Sequence, residues 1–381
     1  MKKQEWLDIE RLVEMSVYLE DPRRQSGNYQ HELTNIFVIT LVGIMCGCEG
    51  WDEIEDFGNS KREWFSSFLD LTHNNPSEAT LRRVFSLLKP ASVERVYREW
   101  INPYIGTCVN KQINIDGKTV CGVARGSGDT NNLHVVSAWV KEDGVCLGQI
   151  RTRKKSNEIT AIPLLLDSLD IRGGTVTIDA MGCQKSIAEK IVERGAHYVL
   201  AVKGNQPTLM EEMKEYFQWA RNDEVESCHL QVYKEEDRNR ERIVSREVAV
   251  SNEVDWFEGK KEWKALHSFV SVKQKTTTAN GSSEETRFYI SDLEANGKAF
   301  ANFTRSHWSI ENQLHWMLDT AFHEDHSLIH VGHAPENFSI LRKMAMALLK
   351  SAGSPKVSIR RKQKIASYDP SFLESALRLC K

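Results

Sequence analysis

The sequence has none of the features that would place it outside the ordinary globular proteins. Its 381 residues carry a net charge of only −3, and 40% hydrophobic with 27% charged residues is neither a disordered nor a fibrous composition. The N-terminus MKKQEWLDIE lacks the apolar core that a signal peptide needs. The longest charge-free stretch, residues 33–48, contains Thr34, Asn35 and Thr40, so it predicts a buried helix and not a membrane span.

The cysteine spacing excludes the common zinc and redox motifs. The eight cysteines are scattered, and the one close pair, Cys46 and Cys48, has C-x-C spacing inside an apolar helix, whereas zinc and redox sites use C-x-x-C. We therefore expect reduced thiols and a cytoplasmic protein.

Three acidic residues stand in settings that do not suit a purely structural acid. Asp116 in NINIDGKTV and Asp179 in TVTIDAMGCQ end β-branched runs that predict buried strands, and Glu311 in RSHWSIENQLHWMLD falls on the apolar face of a predicted helix. A carboxylate directed at a core is costly unless a cation or a hydrogen-bond network compensates it. Oxygen-only ligation suits Mg²⁺ or Mn²⁺, and a pair of such ions can move phosphoryl groups. The three acids therefore favour phosphodiester chemistry on a nucleic acid.

The helix that carries Glu311 is predicted from about residue 302 to 320. A period of 3.6 residues places this glutamate on one face with His307, Trp308, Leu314, His315 and Leu318. An ion pair with Arg305 or with a protonated histidine is the structural alternative for this glutamate.

Basic residues are concentrated locally, although the net charge and a pI near 6.5 argue mildly against a nucleic-acid binder. Residues 341–381 carry ten Lys or Arg against two acids, a balance of +8, and a second basic run occupies residues 151–155. Either segment could neutralise phosphates. A solvated tail and a solvated strand end are the alternatives.

Residues 1–105 are predicted to form a helical N-terminal domain. Within it, Ser77 and Pro90 bracket a helix over residues 77–88, and Arg82 and Arg83 project away from its apolar side. A short helix behind a turn with basic residues near its start is what a helix-turn-helix offers to DNA. A surface helix without that role is the alternative.

From about residue 112 the periodicity becomes that of strands. The predicted strands are 113–115, 133–140, 145–152, 175–178 and 197–202, and the last two alternate with helices. This order predicts an α/β fold, a ribonuclease-H-like mixed sheet covered by helices, over residues 106–350. Asp116 on the first strand and Asp179 on the fourth would lie on adjacent strands. A β-rich insertion at about 222–300, with four predicted strands and TTTANGSSEE as a loose hairpin loop between the last two, precedes the Glu311 helix. A basic tail occupies 351–381.

Five long strings carry a resemblance to a known family. HWSIENQLHWMLDTAFHED, IDGKTV, TIDAMGCQ, HYVLAVKGNQPTL and APENFSILRKMAMALL resemble the H-repeat-associated, ISAs-type insertion-sequence transposases of the DDE superfamily. The match extends from the N-terminal helical region to about Leu349. It implies a ribonuclease-H-like catalytic core with Asp116, Asp179 and Glu311 as the triad, and Mg²⁺ or Mn²⁺ as cofactor. It also implies double-stranded DNA as partner, in the form of element ends and target. Since two ends must be handled together, we expect a homodimer on DNA, with no membrane and no organic cofactor.

On that resemblance each acid receives a role. Asp116 would bridge two metal ions, with Asp179 holding one and Glu311 the other. The site would first hydrolyse a strand at the element's end and then join that end to a target. The predicted DNA contacts, in addition to Arg82 and Arg83, are Lys203, Asn205, Gln206, Arg305 and His307.

Two features of the sequence qualify this interpretation. Many relatives of the broader group carry Tyr, Arg and Lys around the helix glutamate, but the corresponding residues here are Thr304, His307 and Leu318. A hairpin-forming cleavage step therefore cannot be carried over. A rival Zn²⁺ site is suggested by the spacing of several histidines, although no cysteine lies near them. These histidines are His323, His326 and His330.

Two other functions stay open beside an active transposase. A catalytically inactive or repurposed transposase-derived DNA-binding protein would bind ends without nicking them. A simple metal-dependent nuclease would share the metal site but would fail to join a pre-cut 3′ end. The intact set of three acids favours the active transposase.

Overall fold

A mixed sheet runs through the centre of the protein. The computed structural model describes residues 8–23, 29–122, 132–152, 158–221, 230–239 and 242–378. The strands in this part of the chain are β1 Gln112–Val120, β2 Leu133–Val140, β3 Val145–Thr152, β4 Thr175–Ile178, β5 His197–Val202, β6 Gln231–Asn239, β7 Arg242–Ser251, β8 Ser268–Thr278 and β9 Gly281–Ser291. They form one sheet in the order β3-β2-β1-β4-β5-β9-β8-β7-β6.

The first five strands have mixed directions. β1 pairs antiparallel with β2 and parallel with β4, and β5 pairs parallel with β4. Ile115 stands opposite Ile178, so the prediction that Asp116 and Asp179 lie on adjacent strands is confirmed. The expectation that Asp116 ends its strand is wrong, because β1 continues through Gly117 and its pairing with β2 extends to Val120.

The β-rich region continues the same sheet. β6 to β9 form antiparallel hairpins, and β9 joins them to β5. Four strands were predicted here, but the string TTTANGSSEE was predicted to be a loose loop. Instead, β8 and β9 pair as far as Thr278 and Gly281, and the turn occupies only residues 279–280. Gly281 has a φ of +134°, a conformation that glycine adopts without strain.

Helices cover the sheet and form the N-terminal region. The helices of the described residues are α1 Ile9–Met15, α2 Leu33–Met45, α3 Trp51–Ser60, α4 Arg62–Phe65, α5 Glu78–Leu87, α6 Pro90–Ile105, α7 Glu158–Ser168, α8 Lys185–Glu193, α9 Pro207–Ala220, α10 Gly297–His307, α11 Trp316–Thr320, α12 Ala334–Ser351, α13 Ile359–Tyr368 and α14 Pro370–Leu377. Short 3₁₀ turns occupy Ser16–Tyr18, Ala180–Gly182, Glu258–Glu262 and Glu324–His326. A mixed α/β architecture preceded by a helical region is therefore confirmed.

Helix α12 is the common packing partner of the two regions. It is buried along almost its whole length and contacts α2 and α6 on the N-terminal side and β3 on the sheet side. Trp51, Phe85 and Phe338 form an aromatic cluster where α3, α5 and α12 meet, with ring centroids 4.7 to 6.0 Å apart. The N-terminal helices and the sheet thus share one hydrophobic core.

The C-terminal segment is not a tail. Residues 359–377 form α13 and α14, which pack against α12 through apolar side chains such as Phe372 and Leu373. Lys362 is buried and donates to the carbonyl oxygen of Leu349 at 2.9 Å. Arg342 and Lys343 are also buried. The +8 charge balance of residues 341–381 therefore overstates the positive charge at the surface. Exposed basic residues in this segment are Lys356, Arg360, Arg361 and Lys364.

Three further predictions concern the basic run 151–155, the cysteines and the absence of a membrane span. Of the basic run 151–155, residues 153–155 lie outside the described part of the chain. All six described cysteines are free. Within the described ranges, every helix is too short or too polar to cross a membrane.

Candidate active site

Asp116 lies in the middle of β1, on the strand face that also carries Gln112, Asn114 and Lys118. Burial raises the pKa of Asp116 to about 7, although a hydrogen bond from the Gly117 backbone opposes this, and the negative charges of Asp179, Glu311 and Glu158 raise it further. The carboxyl group is therefore in a poorly solvated and negatively charged environment.

Asp179 follows β4 and caps the short turn Ala180–Gly182. Its Oδ1 accepts hydrogen bonds from the backbone nitrogens of Met181 at 3.1 Å and Gly182 at 3.4 Å. These bonds orient the carboxylate at the end of the strand while the side chain stays exposed.

Asn205 and Gln206 hold the turn beside Asp179. The amide nitrogen of Asn205 donates to the carbonyl oxygen of Ala180, and that of Gln206 donates to Cys183 at 3.0 Å. Both residues were predicted to contact DNA. Their amide nitrogens join the loop after β5 to the turn after β4, and the contact with DNA stays a prediction.

Glu311 begins a π-helical turn, Glu311–His315, between α10 and α11. The wider turn interrupts the 3.6-residue period on which the predicted apolar face was based. Ile310, Leu314 and Leu318 are buried, whereas Glu311 is exposed. The prediction that Glu311 lies on the apolar face is therefore wrong. Burial, followed by the charge of Asp179, raises the pKa of Glu311.

The three acids line one cavity of about 350 Å³, together with Lys203, His307 and Trp308. Their charges act on one another, since Asp179 raises the pKa of both Asp116 and Glu311. Among the described residues, however, no three His, Cys, Asp or Glu side chains are close enough to hold a metal ion as they stand. A set of three carboxylates on one cavity nevertheless has the oxygen chemistry that Mg²⁺ and Mn²⁺ prefer.

His307 lines this cavity as a neutral side chain. Burial lowers its pKa to about 4. Its Nδ1 lies 2.8 Å from the hydroxyl of Thr177, whose proton is donated to Asn114 Oδ1 at 2.7 Å. Since that hydroxyl has one proton, His307 Nδ1 must carry its own hydrogen and donate. His307 was predicted to contact phosphate or bases, but at neutral pH it cannot do so as a cation.

His315, one helical turn after Glu311, was not predicted as a site residue. Its Nδ1 lies 3.5 Å from Asp116 Oδ2. Burial, together with the positive charges of Lys343 and Lys118, lowers the pKa of His315 to about 3, so the ring is neutral. The sequence signal was the i+4 spacing from Glu311, which puts both side chains on one side of a helix.

Gln112 and Asn114 fasten β1 to the segment that leads to Glu311. Asn114 Nδ2 donates to the carbonyl oxygen of Ser306 at 2.8 Å and to the hydroxyl of Ser309 at 2.9 Å. Gln112 Nε2 donates to the carbonyl oxygen of Phe303 at 2.9 Å. Both were missed, although polar residues at alternate positions of an otherwise apolar strand were a visible signal.

Lys118 ties the same strand to the chain that follows Glu311. Its Nζ lies 2.6 Å from Asp319, 3.0 Å from Asp325 and 3.2 Å from Glu324. Burial acts to lower the pKa of Lys118, but these carboxylates outweigh it and raise the pKa. Glu324 is almost fully buried and also faces Arg342 at 3.7 Å. This buried charge network was not predicted either.

The remaining predicted DNA contacts lie at the surface. Lys203 is exposed at the cavity. Arg305 pairs with Asp237 at 3.0 Å. Arg82 and Arg83 are exposed on α5, outside the lining of this cavity, and Arg82 pairs with Glu78 of its own helix.

The histidines of the rival zinc site are engaged separately. His323 pairs with Glu49 at 2.8 Å, and His330 Nδ1 lies 2.6 Å from the carbonyl oxygen of Leu328. The ring centroids of His323 and His326 are 6.5 Å apart. These contacts give no support to a zinc site.

Comparison with known proteins identifies the family of this chain. A model of the transposase DDE domain matches residues 115–348, and a DDE_Tnp_1-associated model matches residues 17–101. YncI of Escherichia coli O157:H7, whose name includes the words putative transposase, is 36% identical over 98% of this chain and 96% of its own length. The H repeat-associated putative transposase YhhI of Escherichia coli K12 is also 36% identical, over 97% of this chain and 98% of its own length.

Two weaker similarities complete the comparison. The inactive transposase YbfQ of Escherichia coli K12 is 29% identical over 21% of this chain and 94% of its own length. A piggyBac transposase in a synaptic complex with hairpin DNA aligns with a TM-score of 0.40 and 11% identity, over 98% of this chain and 77% of the other. On the family models and the relatives that span nearly its whole length, this chain belongs to the DDE transposases, in the group of H-repeat-associated transposases.

Proposed function

We propose that this transposase cleaves the ends of an insertion sequence and joins them to target DNA, with Asp116, Asp179 and Glu311 as its catalytic acids. The observation that carries the proposal is that the three acids line one cavity, although they are far apart in sequence. They come from the middle of a strand, the end of a strand and a π-helical turn. An arrangement in which the charge of Asp179 raises the pKa of Asp116 and of Glu311 is unfavourable unless a cation joins the three acids.

The strand order supports a ribonuclease-H-like core. In β3-β2-β1-β4-β5, the first acid lies on the central strand and the second at the end of its parallel neighbour. The hairpins β6 to β9 would then be an insertion that extends this core toward the substrate.

Asp116, Asp179 and Glu311 would hold Mg²⁺ or Mn²⁺, which when bound supplies activation of the attacking water or 3′-hydroxyl and stabilisation of the leaving oxygen. The chain's own residues position these acids. Met181 and Gly182 orient Asp179 through their backbone nitrogens, and Asn114 fixes the approach of the Glu311 turn to β1. Lys203, exposed at the cavity, would contact the phosphate backbone.

The partner would be double-stranded DNA, bound as element ends and as target by two copies of the chain. Arg82 and Arg83 would contact DNA beyond the cavity, since both are exposed on α5.

The test is nicking of DNA that carries the terminal inverted repeats flanking the gene, with and without added Mg²⁺. Asp116→Asn, Asp179→Asn and Glu311→Gln should each lower the nicking rate by about a thousandfold or more. When residues act as one catalytic unit, the loss of a single member costs nearly as much rate as the loss of all of them. Asp255→Asn is the matched control, since Asp255 is an exposed acid outside the cavity. Nicking that survives in all three variants would remove the assignment of these acids.

A second assay separates the transposase from the two other functions. Joining of a pre-cut 3′ end to a target distinguishes it from a nuclease, which would cut but not join. End binding without any nicking by the parent protein would instead identify a DNA-binding protein without catalysis.

A further inference from the structure

We call the cavity lined by Asp116, Asp179 and Glu311 the catalytic cavity. A second cavity, of about 230 Å³, adjoins it and is called the arginine cavity. Its lining includes Arg246, Gln274, Arg287, Tyr289, Arg305 and Trp308. Three of these residues, Arg287, Tyr289 and Trp308, also line the catalytic cavity. The two cavities are therefore neighbours along one surface. A ligand that extends from the catalytic cavity into the arginine cavity would meet the guanidinium groups of Arg246, Arg287 and Arg305.

The sheet register builds the arginine cavity. Glu235 of β6, Arg246 of β7, Gln274 of β8 and Glu285 of β9 stand opposite one another in turn, so their side chains lie on one face. Helix α10 packs on that face, and Phe300 and Ala301 join the apolar cluster of the hairpins.

The far end of α10 brings the remaining residues to the arginine cavity. Arg305 lies in its last turn, and Trp308 follows it. The guanidinium carbon of Arg287 lies 5.4 Å from the ring centroid of Trp308, and 42% of the Trp308 side chain is exposed.

Each arginine is held by a carboxylate of the hairpins. Arg246 Nη1 lies 3.2 Å from both Glu235 and Asp237, and Arg305 Nη2 lies 3.0 Å from Asp237. Arg287 pairs with Glu285 at 2.8 Å. A guanidinium can pair with two oxygens of a carboxylate in the same way as with two oxygens of a phosphate. An arginine that pairs with a carboxylate can therefore also bind a phosphate.

The ion pair between Arg305 and Asp237 is not needed to hold the fold. Arg305 and Asp237 are about half exposed, with side-chain exposures of 52% and 47%, and such pairs contribute little to stability. Glu235 and Asp237 approach Arg246 and Arg305 from β6 and do not line the arginine cavity. The arginines therefore remain available on the cavity side.

We propose that the arginine cavity binds a backbone phosphate of the DNA strand next to the position that is cut. In the absence of DNA, Glu235 and Asp237 form ion pairs with Arg246 and Arg305, and these pairs break when a phosphate binds the arginines. This proposal rests on the proposed function, because it takes DNA as the substrate of the adjoining catalytic cavity. It adds a defined phosphate subsite and an intramolecular competitor for it.

The first test measures binding of a labelled duplex of about 30 base pairs without divalent metal over a range of salt concentrations. Arg305→Gln should weaken binding about fivefold and lower the salt slope by about 0.9, the value for one lost phosphate contact. The matched control is Arg238→Gln, because Arg238 is exposed, paired with Glu236 and on the opposite face of β6. Equal effects of the two substitutions would overturn the proposal, as would no binding by the parent protein.

The second test examines the competing carboxylates. Glu235→Gln and Asp237→Asn together should tighten binding of the same duplex about threefold to tenfold, since the arginines no longer have to leave a charged partner. Glu236→Gln on the opposite face of β6 removes one negative charge, half of the change in the double variant, without freeing Arg246 or Arg305, so its effect should be less than half as large on the logarithmic scale. A gain in the double variant no larger than twice that of Glu236→Gln on that scale would show that Glu235 and Asp237 do not compete.

The two proposals fail in different ways. Loss of the catalytic assignment would appear as Mg²⁺-dependent nicking that persists in the variants of the three acids. Loss of the phosphate subsite would appear as unchanged affinity and salt slope in Arg305→Gln, in a parent protein that both binds and nicks DNA.

Discussion

The two halves of the sheet use charged residues in opposite ways. In the first half, β1 to β5, β2 is buried at every position, and the largely enclosed Lys118 is tied to three carboxylates. In the second half, β6 to β9, the first six residues of β9 are exposed, and many surface ion pairs cross between strands. A buried charge has few alternative partners and fixes geometry, whereas an exposed one can exchange its partner for a ligand. The half that carries Asp116 and Asp179 is thus the one in which buried charges fix the geometry.

Breaking the buried network should show the largest effect. Lys118→Met leaves Glu324 without its closest cation in a buried site, so the free energy of unfolding should fall by about 3 kcal/mol or more. Urea unfolding measures this change. The double variant Lys118→Met, Glu324→Gln should recover part of the loss. A decrease below about 1 kcal/mol would mean that the first half is no more dependent on its charges than the second.

Substitution on the polar face of β1 should cause the next largest loss of stability. Asn114→Ala removes bonds to Ser306 and Ser309 from a fully buried side chain, which should cost about 2 kcal/mol. It should also slow Mg²⁺-dependent nicking, because the Glu311 turn is no longer fixed to β1. Asn302→Ala, at an exposed position of α10, provides the comparison in both assays. Equal losses in the two variants would remove the positioning role of Asn114.

A pH-dependent effect is expected where the N-terminal helices meet the first half of the sheet. Burial raises the pKa of Glu94 to about 7, and its Oε1 is buried without a hydrogen-bond partner among the described residues. The folded state therefore binds this proton more tightly than the unfolded state, so its contribution to stability is full at low pH. That contribution is lost as the pH rises from about 4.5 through about 7. Unfolding measured at several pH values should show a smaller loss in Glu94→Gln than in the parent. An unchanged pH profile would contradict this assignment.

The smallest effect is expected in the second half. Lys273 and Glu284 face each other across β8 and β9 at 2.9 Å, with exposures of 40% and 51%. Lys273→Met should change the free energy of unfolding by less than about 0.5 kcal/mol. The same urea measurement as for Lys118→Met makes the two halves directly comparable, and a loss as large as that of Lys118→Met would abolish the contrast.

Much of the first half could be predicted from the sequence. The predicted bounds of β2, β4 and β5 agree with the structure, because these strands are short apolar runs closed by turn residues. The N-terminal helix at residues 77–88 was also found, since Ser77 precedes α5 and Pro90 begins the next helix.

What could not be predicted depends on contacts between distant segments. The π turn at Glu311 breaks the period that any helical pattern assumes, so the glutamate was placed on the wrong face. The hydrogen bond from Asn205 to the turn after Asp179 could not be predicted, because an exposed polar turn gives no sign of which distant segment lies beside it. Likewise, the charge of Arg342 and Lys343 was counted as surface charge, although both are buried on α12. Which residues meet the three acids follows from the fold and not from local sequence.

The position of α12 has a consequence for dissecting this protein. Its apolar side chains cover α2 and α6 as well as β3, yet it comes more than two hundred residues after the helices it completes. A fragment ending before residue 334 would leave the N-terminal helices with a large uncovered apolar surface, which in water favours aggregation. The helical region is therefore unsuitable for transplantation as an independent DNA-binding module. A shortened version of the chain would need α12 grafted back, for example through a flexible linker.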